Sequence, residues 1–237
     1  MNDLRAVAFD AFGTLIRTRS GAADSFRVTL ETLGYAVTEH VMGALQAAAE
    51  GLEHRDRSGT RDAYMAWAES TSQRLRRGDP LDGDVAQAVI PCLEELHQVP
   101  MAAFDDAQTA IDRVVGTGLR VAVCSNFGWD LRDALDSAEL RVPADASVVS
   151  SAEAGARKPH PKIYLHVAEK LECSPSQVAF VGDSYRCDVE GPREVGMRSV
   201  WLARNAGHPA SQPPDEAAAQ NLHEALDLLG VAASGET

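Results

Sequence analysis

Several apolar runs in this chain end in polar residues of a kind that can perform chemistry. Asp10, the pair Ser125 and Asn126, and Asp183 each stand at the end of such a run. Open α/β sheets place their sites at the carboxyl ends of parallel strands, so we expect these side chains to meet at one edge of a sheet. A carboxylate at that edge can attack an electrophile and form a covalent intermediate. The spacing therefore predicts a site built around carboxylates.

Two further charged residues fit the same site. Lys158 precedes a proline that can open a helix, and it is one of only three lysines in the chain. Asp188 lies five residues beyond Asp183. Asp10 and Asp183 would lie close together in such a sheet. Two neighbouring carboxylates repel each other unless a cation or a proton lies between them. Mg²⁺ is the natural cation for such oxygen ligands, and Lys158 would hold an anionic group in place.

Strand and helix patterns alternate over most of the chain. Apolar runs predict parallel strands at 6–9, 120–124, 147–150, 178–181 and 199–201. Helical patterns separate them at 105–117, 130–137, 161–171, 187–195 and 221–229. Such alternation implies right-handed crossovers, so we predict a doubly wound α/β fold with a parallel sheet and the strand at 6–9 in its centre.

The interval 17–97 interrupts this alternation. It shows four helical patterns, near 22–33, 39–55, 61–77 and 85–96, and no convincing strand. We therefore predict two domains, a core of residues 1–16 and 98–237 and an inserted α-helical cap of residues 17–97. The segment 205–214 is rich in glycine and proline and predicts a surface loop, and the tail after residue 232 is expected to be disordered.

Composition excludes several classes of protein. The net charge of −13 argues against nucleic-acid binding, which needs a basic surface. No apolar run approaches the roughly 20 residues of a membrane span, and Asp10 interrupts the N-terminal run too early for a signal peptide. The four cysteines, at 92, 124, 173 and 187, are widely spaced without a CxxC pair. They predict reduced thiols in a cytoplasmic protein.

Four segments, taken in order, resemble the motifs of the haloacid dehalogenase superfamily. They are motif I at 9–15 (FDAFGTL), motif II at 121–126 (VAVCSN), motif III at 157–161 (RKPHP) and motif IV at 180–184 (FVGDS). The resemblance covers the whole predicted core. It implies a Rossmann-like sheet and a helical cap inserted between motifs I and II.

The same resemblance implies roles for the candidate residues. Asp10 is the nucleophile, and Mg²⁺ is held by Asp10, Asp183 and the backbone carbonyl of Phe12, with Asp188 nearby as a direct or water-mediated partner. The transferred group is expected to contact the side chains of Ser125, Asn126 and Lys158 and the motif I loop of Phe12, Gly13 and Thr14.

Motif I departs from the usual Asp-x-Asp-Gly-Thr at its second aspartate, which is Phe12 here. In family phosphatases that aspartate protonates the leaving alcohol and then activates water, and phenylalanine can do neither. The haloacid dehalogenases of the superfamily carry an aromatic residue at this place, expel a halide and work without metal. Motif IV instead favours a phosphatase, because Asp183 and Asp188 resemble the magnesium site of a phosphatase.

Three hypotheses follow. The first is a Mg²⁺-dependent phosphohydrolase acting on a small phosphorylated metabolite, without nucleic-acid or membrane partners and with no oligomeric state specified by the sequence. The second is a 2-haloacid dehalogenase. The third is a degenerate member that binds a ligand or partner without turnover.

Structural roles compete with each chemical one. Asp10 and Ser125 can act as helix N-caps, Asp188 can cap the helix that follows it, and Lys158 can form a surface ion pair. His160 is interpreted as a loop residue rather than a catalytic base.

Overall fold

The computed structural model describes residues 3–18, 101–204 and 218–232, together with scattered positions between 36 and 77. Seven of those scattered positions are helical: Glu39, Arg61, Asp62, Ala66, Glu69, Gln73 and Arg77. Apart from these positions and residues 17 and 18, the predicted cap at 17–97 lies outside the described residues, as do the predicted loop at 205–214 and the predicted disordered tail after residue 232. These three expectations stay predictions.

The described strands are β1 (Ala6–Phe9), β2 (Ile16–Thr18), β3 (Met101–Ala103), β4 (Arg120–Ser125), β5 (Ser147–Ser150), β6 (Val178–Gly182), β7 (Arg198–Leu202) and β8 (Ala218–Ala219). Six of them form one parallel sheet in the spatial order β5-β4-β1-β6-β7-β8. β1 lies inside the sheet between β4 and β6, as predicted. β2 and β3 pair antiparallel in a separate ribbon.

The described helices are α1 (Ala107–Gly116), α2 (Leu131–Ser137), α3 (Ser151–Ala154), α4 (Pro161–Lys170), α5 (Gly191–Glu194) and α6 (Leu222–Leu228). A 3₁₀ turn covers Pro175–Gln177, and a π-helix covers Tyr185–Glu190. The chain thus has a parallel sheet with flanking helices, the doubly wound Rossmann-like fold that the sequence predicts.

Burial on both faces explains the continuous apolar runs of the inner strands. Val7 and Phe9 of β1 pack in the cluster that includes the buried sides of α1, α2 and α6. Ala6 and Ala8, which point to the opposite face, pack in the cluster that includes the buried side of α4. Successive side chains of a strand point to opposite faces, so a strand covered on both sides needs apolar residues at every position.

The structure adds β3, β8 and α3, which no sequence pattern predicts, and it corrects the sequence prediction at β2 and at the helix predicted for 187–195. A strand, β2, begins the interval in which the sequence pattern predicts no strand, and it pairs with β3 directly after that interval. A strand of three residues is too short to show the alternation of apolar and polar residues by which a strand is identified in a sequence. The helix predicted at 187–195 is instead a π-helix at Tyr185–Glu190 followed by α5, and single π-helical turns usually occur together with α-helices.

Other sequence expectations concern thiols and membranes. Cys124, Cys173 and Cys187 are free thiols, while Cys92 lies outside the described residues. Every helix in the described part of the chain is too short or too polar to cross a membrane.

Candidate active site

The register of the inner strands brings the predicted site residues together. Phe9 of β1 lies opposite Val123 of β4 and Val181 of β6. The next residue, Asp10, therefore stands level with the ends of both neighbours, and its backbone N–H donates to the Val181 carbonyl at 2.9 Å. Ser125 and Asp183 follow at the same edge of the sheet. The prediction that these strand ends meet is confirmed by the pairing.

Asp10 is buried and held by two donors. The Ser125 hydroxyl donates to Asp10 Oδ1 at 2.8 Å, and Lys158 Nζ donates to the same oxygen at 2.6 Å. Neither Asp10 nor Ser125 thus acts as a helix cap here. One carboxylate oxygen of Asp10 is therefore fixed by a hydroxyl and an ammonium group.

Lys158 links two carboxylates in the interior. It is 2% exposed, and its Nζ lies 2.6 Å from both Asp10 Oδ1 and Asp188 Oδ1. Burial opposes its charge, but the charges of Asp10 and Asp188 outweigh burial and hold the pKa of Lys158 well above its ordinary value. Lys158 is therefore a permanent cation of the site and not a member of a surface ion pair.

Three carboxylates share this small volume. Asp10, Asp183 and Asp188 each offer an oxygen, and these oxygens lie within 4.8 Å of one another. Asp10 and Asp188 are buried, while Asp183 keeps an exposed edge. The separation satisfies the expectation that Asp10 and Asp183 face each other closely enough to share a cation.

The positive charge of Lys158 alone does not balance the negative charges of the three carboxylates. Loss of hydration and the charges of Asp10 and Asp188 raise the pKa of Asp183 to about 7. Burial raises the pKa of Asp188 to about 6, although Lys158 opposes this rise. In both cases burial is the larger cause, and the neighbouring carboxylate charges add to it. A divalent cation would relieve the repulsion, so the donor set fits a hard metal ion such as Mg²⁺.

The Asn126 side chain is occupied by the backbone of Lys158. Its Oδ1 accepts from the Lys158 N–H at 2.6 Å, and its Nδ2 donates to the Lys158 carbonyl at 3.0 Å. Asn126 therefore fixes the segment that carries the lysine. The predicted contact between Asn126 and the transferred group stays a prediction.

The motif I loop packs directly against Asp183. Gly13 has a φ of +86°, and a Cβ built there would lie 2.4 Å from Asp183 Oδ2. The Thr14 hydroxyl is buried and donates to Asp183 Oδ1 at 3.3 Å. The structure thus gives Gly13 and Thr14 supporting roles beside Asp183, and their predicted contacts with substrate stay predictions.

Comparison with known proteins places this geometry in a family. The model of the haloacid dehalogenase-like hydrolase family matches residues 4–196, most of the chain. The chain belongs to the haloacid dehalogenase-like hydrolase family. It is accordingly a hydrolase of a family that acts on small molecules.

Similar proteins include both phosphatases and dehalogenases. Haloacid dehalogenase-like hydrolase domain-containing protein 3 of Homo sapiens is 30% identical over 84% of this chain and 82% of its own. Phosphoglycolate phosphatase of Escherichia coli (strain K12) is 28% identical over 97% of this chain and 94% of its own. The structure of 2-haloacid dehalogenase from Pseudomonas syringae pv. Tomato DC3000 shares the fold, with a TM-score of 0.60, 22% identity, and 96% and 98% of the two chains covered.

The remaining site residues of this hydrolase have mixed roles. Asp188 bonds Lys158, and its Oδ2 also accepts from the Ser184 N–H at 2.9 Å, so it both pairs with the lysine and caps its own turn. His160 is the N-cap of α4, and its Nδ1 accepts from the Lys162 N–H. This structural role agrees with the interpretation of His160 as a loop residue rather than a catalytic base. Phe12, two residues after Asp10, is 46% exposed.

Sequence reasoning missed two residues that hold the site loops of the hydrolase. Trp201 Nε1 donates to the Asp183 carbonyl at 2.9 Å, which fixes the motif IV loop. Arg204 donates to the Thr14 carbonyl at 2.8 Å and forms two hydrogen bonds with Asp106. Both residues stand at or just beyond the carboxyl end of β7, so the strand-end rule used for Asp10 would have identified them.

Proposed function

We propose that this hydrolase is a Mg²⁺-dependent phosphohydrolase that acts on a small phosphorylated metabolite in the cytoplasm. The observation that carries the proposal is the cluster of three carboxylates, Asp10, Asp183 and Asp188, around one lysine. A cation bound there would hinder attack by Asp10 on a neutral carbon but would assist attack on a negatively charged phosphoryl group. The similarity to phosphoglycolate phosphatase supports the same reaction class.

The chain's own residues supply most of the proposed mechanism. Both described donors bind Asp10 Oδ1, so we assign the attack on phosphorus to Asp10 Oδ2. The bond between phosphorus and the leaving oxygen breaks, and the leaving group keeps the electron pair. Water then attacks the aspartyl-phosphate at phosphorus, which releases inorganic phosphate and restores Asp10. Lys158 and Ser125 stay in place and stabilise the negative charge that gathers around the reacting group.

Mg²⁺ would be held by Asp10, Asp183 and the Phe12 carbonyl, with Asp188 beside them. When bound, it supplies a Lewis acid that neutralises charge on the phosphoryl oxygens. The excess of carboxylates over cations in the cluster supports this assignment.

We further propose that residues 17–97 form a helical cap that closes over the cleft and excludes water from the phosphoryl group. The helical state of seven described positions between 39 and 77 supports a cap. An ion pair between Arg61 and Asp130 joins the interval to the segment between β4 and α2.

Dehalogenation is the second candidate, and one observation favours it. Phe12 presents an exposed aromatic side chain where a phosphatase would carry a carboxylic acid. A halide leaves without protonation, so it needs no acid at that position. This candidate requires Asp10 to attack carbon without a metal on its carboxylate.

The deciding experiment assays the full chain on aryl, acyl and alkyl phosphates and on 2-chloropropionate, with Mg²⁺ or with EDTA. We expect phosphate release that depends on Mg²⁺. Halide release that persists in EDTA, without phosphate release, would instead establish the dehalogenase.

The first prediction is that Asp183→Asn weakens Mg²⁺ binding at least about tenfold. The substitution removes one negative ligand from the cluster while keeping the side-chain shape. Isothermal titration calorimetry measures the change. Asp112→Asn, on the outer face of α1, is the control and should bind as the wild type does, because its carboxylate bonds only Gln108 among the described residues. Equal Mg²⁺ affinity in all three proteins would refute the proposed metal site.

The second prediction compares two glycines with positive φ. Gly13→Ala and Gly118→Ala both place a methyl group in the left-handed region, at a penalty of about 1–2 kcal/mol each. Only the methyl at residue 13 would meet a carboxylate, since the site at Gly118 is open. We therefore expect thermal denaturation to show destabilisation in both variants, with the larger loss in Gly13→Ala, because only its methyl group also meets Asp183. Mg²⁺ affinity should fall about tenfold only in Gly13→Ala, and an equal loss in Gly118→Ala would contradict the contact.

A further inference from the structure

We propose that Tyr164 is a positioning residue whose hydroxyl holds the π-helical turn carrying Asp188, and thereby keeps Asp188 against Lys158. The effect on catalysis rests on the proposed function. The structural part of the inference stands on contacts in α4 and in the π-helix at Tyr185–Glu190.

One carbonyl of the π-helix, that of Cys187, has a proline at the position of its helical donor. In a π-helix each carbonyl accepts from the N–H five residues later. The Arg186 carbonyl has such a partner, because the Gly191 N–H donates to it. The residue five positions after Cys187 is Pro192, which has no N–H. The Cys187 carbonyl therefore needs a donor from elsewhere in the protein.

Tyr164 supplies that donor from α4. Its hydroxyl donates to the Cys187 carbonyl at 2.5 Å. The ring is fully buried and packs edge-to-face on Phe180, with 5.7 Å between ring centroids. A Cβ at Gly191 would lie 2.3 Å from the Tyr164 hydroxyl oxygen. The glycine thus provides the room in which this hydroxyl reaches the turn.

Two side chains from one segment hold two consecutive residues of the turn. Lys158 Nζ contacts Asp188 Oδ1 at 2.6 Å, while Tyr164 holds the carbonyl of the preceding residue, Cys187. The Asp188 carboxylate also packs closely on Gly182, where a Cβ would lie 2.3 Å from Asp188 Oδ2. A shift of the turn would therefore move Asp188 relative to Lys158. This movement would change the electrostatic effect of these two side chains on Asp10.

The test is Tyr164→Phe, which removes one oxygen and keeps the ring. Hydrogen exchange should be about tenfold faster for the backbone amides of residues 185–191, as expected for loss of one buried hydrogen bond. In the phosphatase assay we expect kcat to fall about tenfold with KM little changed, because the substitution alters the charged groups around Asp10 and not substrate contacts. Thr117→Val is the matched control, since it also removes a hydroxyl that donates to a backbone carbonyl, that of Val114 at the end of α1.

A second variant tests the same contact from the other side. Gly191→Ala should displace the Tyr164 ring and accelerate exchange in the same segment. The double variant should change exchange there no more than the larger single change, because both substitutions break one contact.

The inference is overturned if exchange at 185–191 in Tyr164→Phe equals that of the wild type. It is also overturned if exchange rises equally throughout the chain, which would show a purely structural role. These readouts need neither metal nor substrate. Failure of the proposed function is seen separately, as a wild-type protein that neither binds Mg²⁺ nor releases phosphate.

Discussion

Asp10→Asn is expected to lower kcat on phosphorylated substrates by at least about 10⁴-fold, the scale on which loss of an essential catalytic group is measured. An amide oxygen is a far weaker nucleophile than a carboxylate, so the covalent step is lost. The amide keeps the shape of the side chain and can still accept from Ser125 and Lys158 at Oδ1. The loss should therefore fall on kcat, while the fold is retained.

Steady-state kinetics and circular dichroism together check this expectation. Asp112→Asn, the same chemical change on the exposed side of α1, should keep full activity. Rapid acid quenching followed by peptide mass spectrometry should detect a phosphoryl group on the peptide that contains Asp10 in the wild type only. If Asp10→Asn retained its activity, both the phosphatase and the dehalogenase mechanism would be wrong, because both use this carboxylate as the attacking group.

The amino-acid sequence is a good guide to the residues that stand at the ends of buried strands. β1, β4 and β6 are buried on both faces, so each is an uninterrupted apolar run whose end is easy to locate. Parallel pairing then requires the residues after those runs to meet. This is why the amino-acid pattern alone predicts that Asp10, Ser125 and Asp183 lie together.

The same reasoning does not predict which partner each polar group selects. Residue type alone does not predict that the Asn126 amide bonds the Lys158 backbone. The role of the Tyr164 hydroxyl is equally hidden, since its partner depends on a π-helix that sequence patterns do not separate from an α-helix. Hydrogen bonds of this kind form where segments that are distant in the sequence pack together. A local sequence pattern does not encode them.

Phe12 stands where family phosphatases carry the second aspartate of motif I, and its side chain is exposed. Without a carboxylic acid at residue 12, the leaving group must depart with little protonation. We therefore expect aryl and acyl phosphates, whose leaving groups are stable anions, to react much faster than alkyl phosphates. Leaving-group dependence of kcat across a series of phosphate esters measures this directly.

Phe12→Asp should then raise turnover of alkyl phosphates, by up to the roughly 10²–10⁴-fold that general acid–base catalysis supplies. Aryl and acyl phosphates should gain little, because their departure needs no proton. Phe12→Asn is the matched control, since asparagine has nearly the same size as aspartate but cannot donate a proton as a carboxylic acid does, and it should give no comparable gain.

A dehalogenase predicts the reverse: a second carboxylate beside Asp10 would repel an anionic haloacid and lower its turnover. A rise on alkyl phosphates in Phe12→Asp alone would therefore identify both the reaction and the chemical step that Phe12 removes. Equal rates in Phe12→Asp and Phe12→Asn would show that residue 12 does not take part in protonating the leaving group.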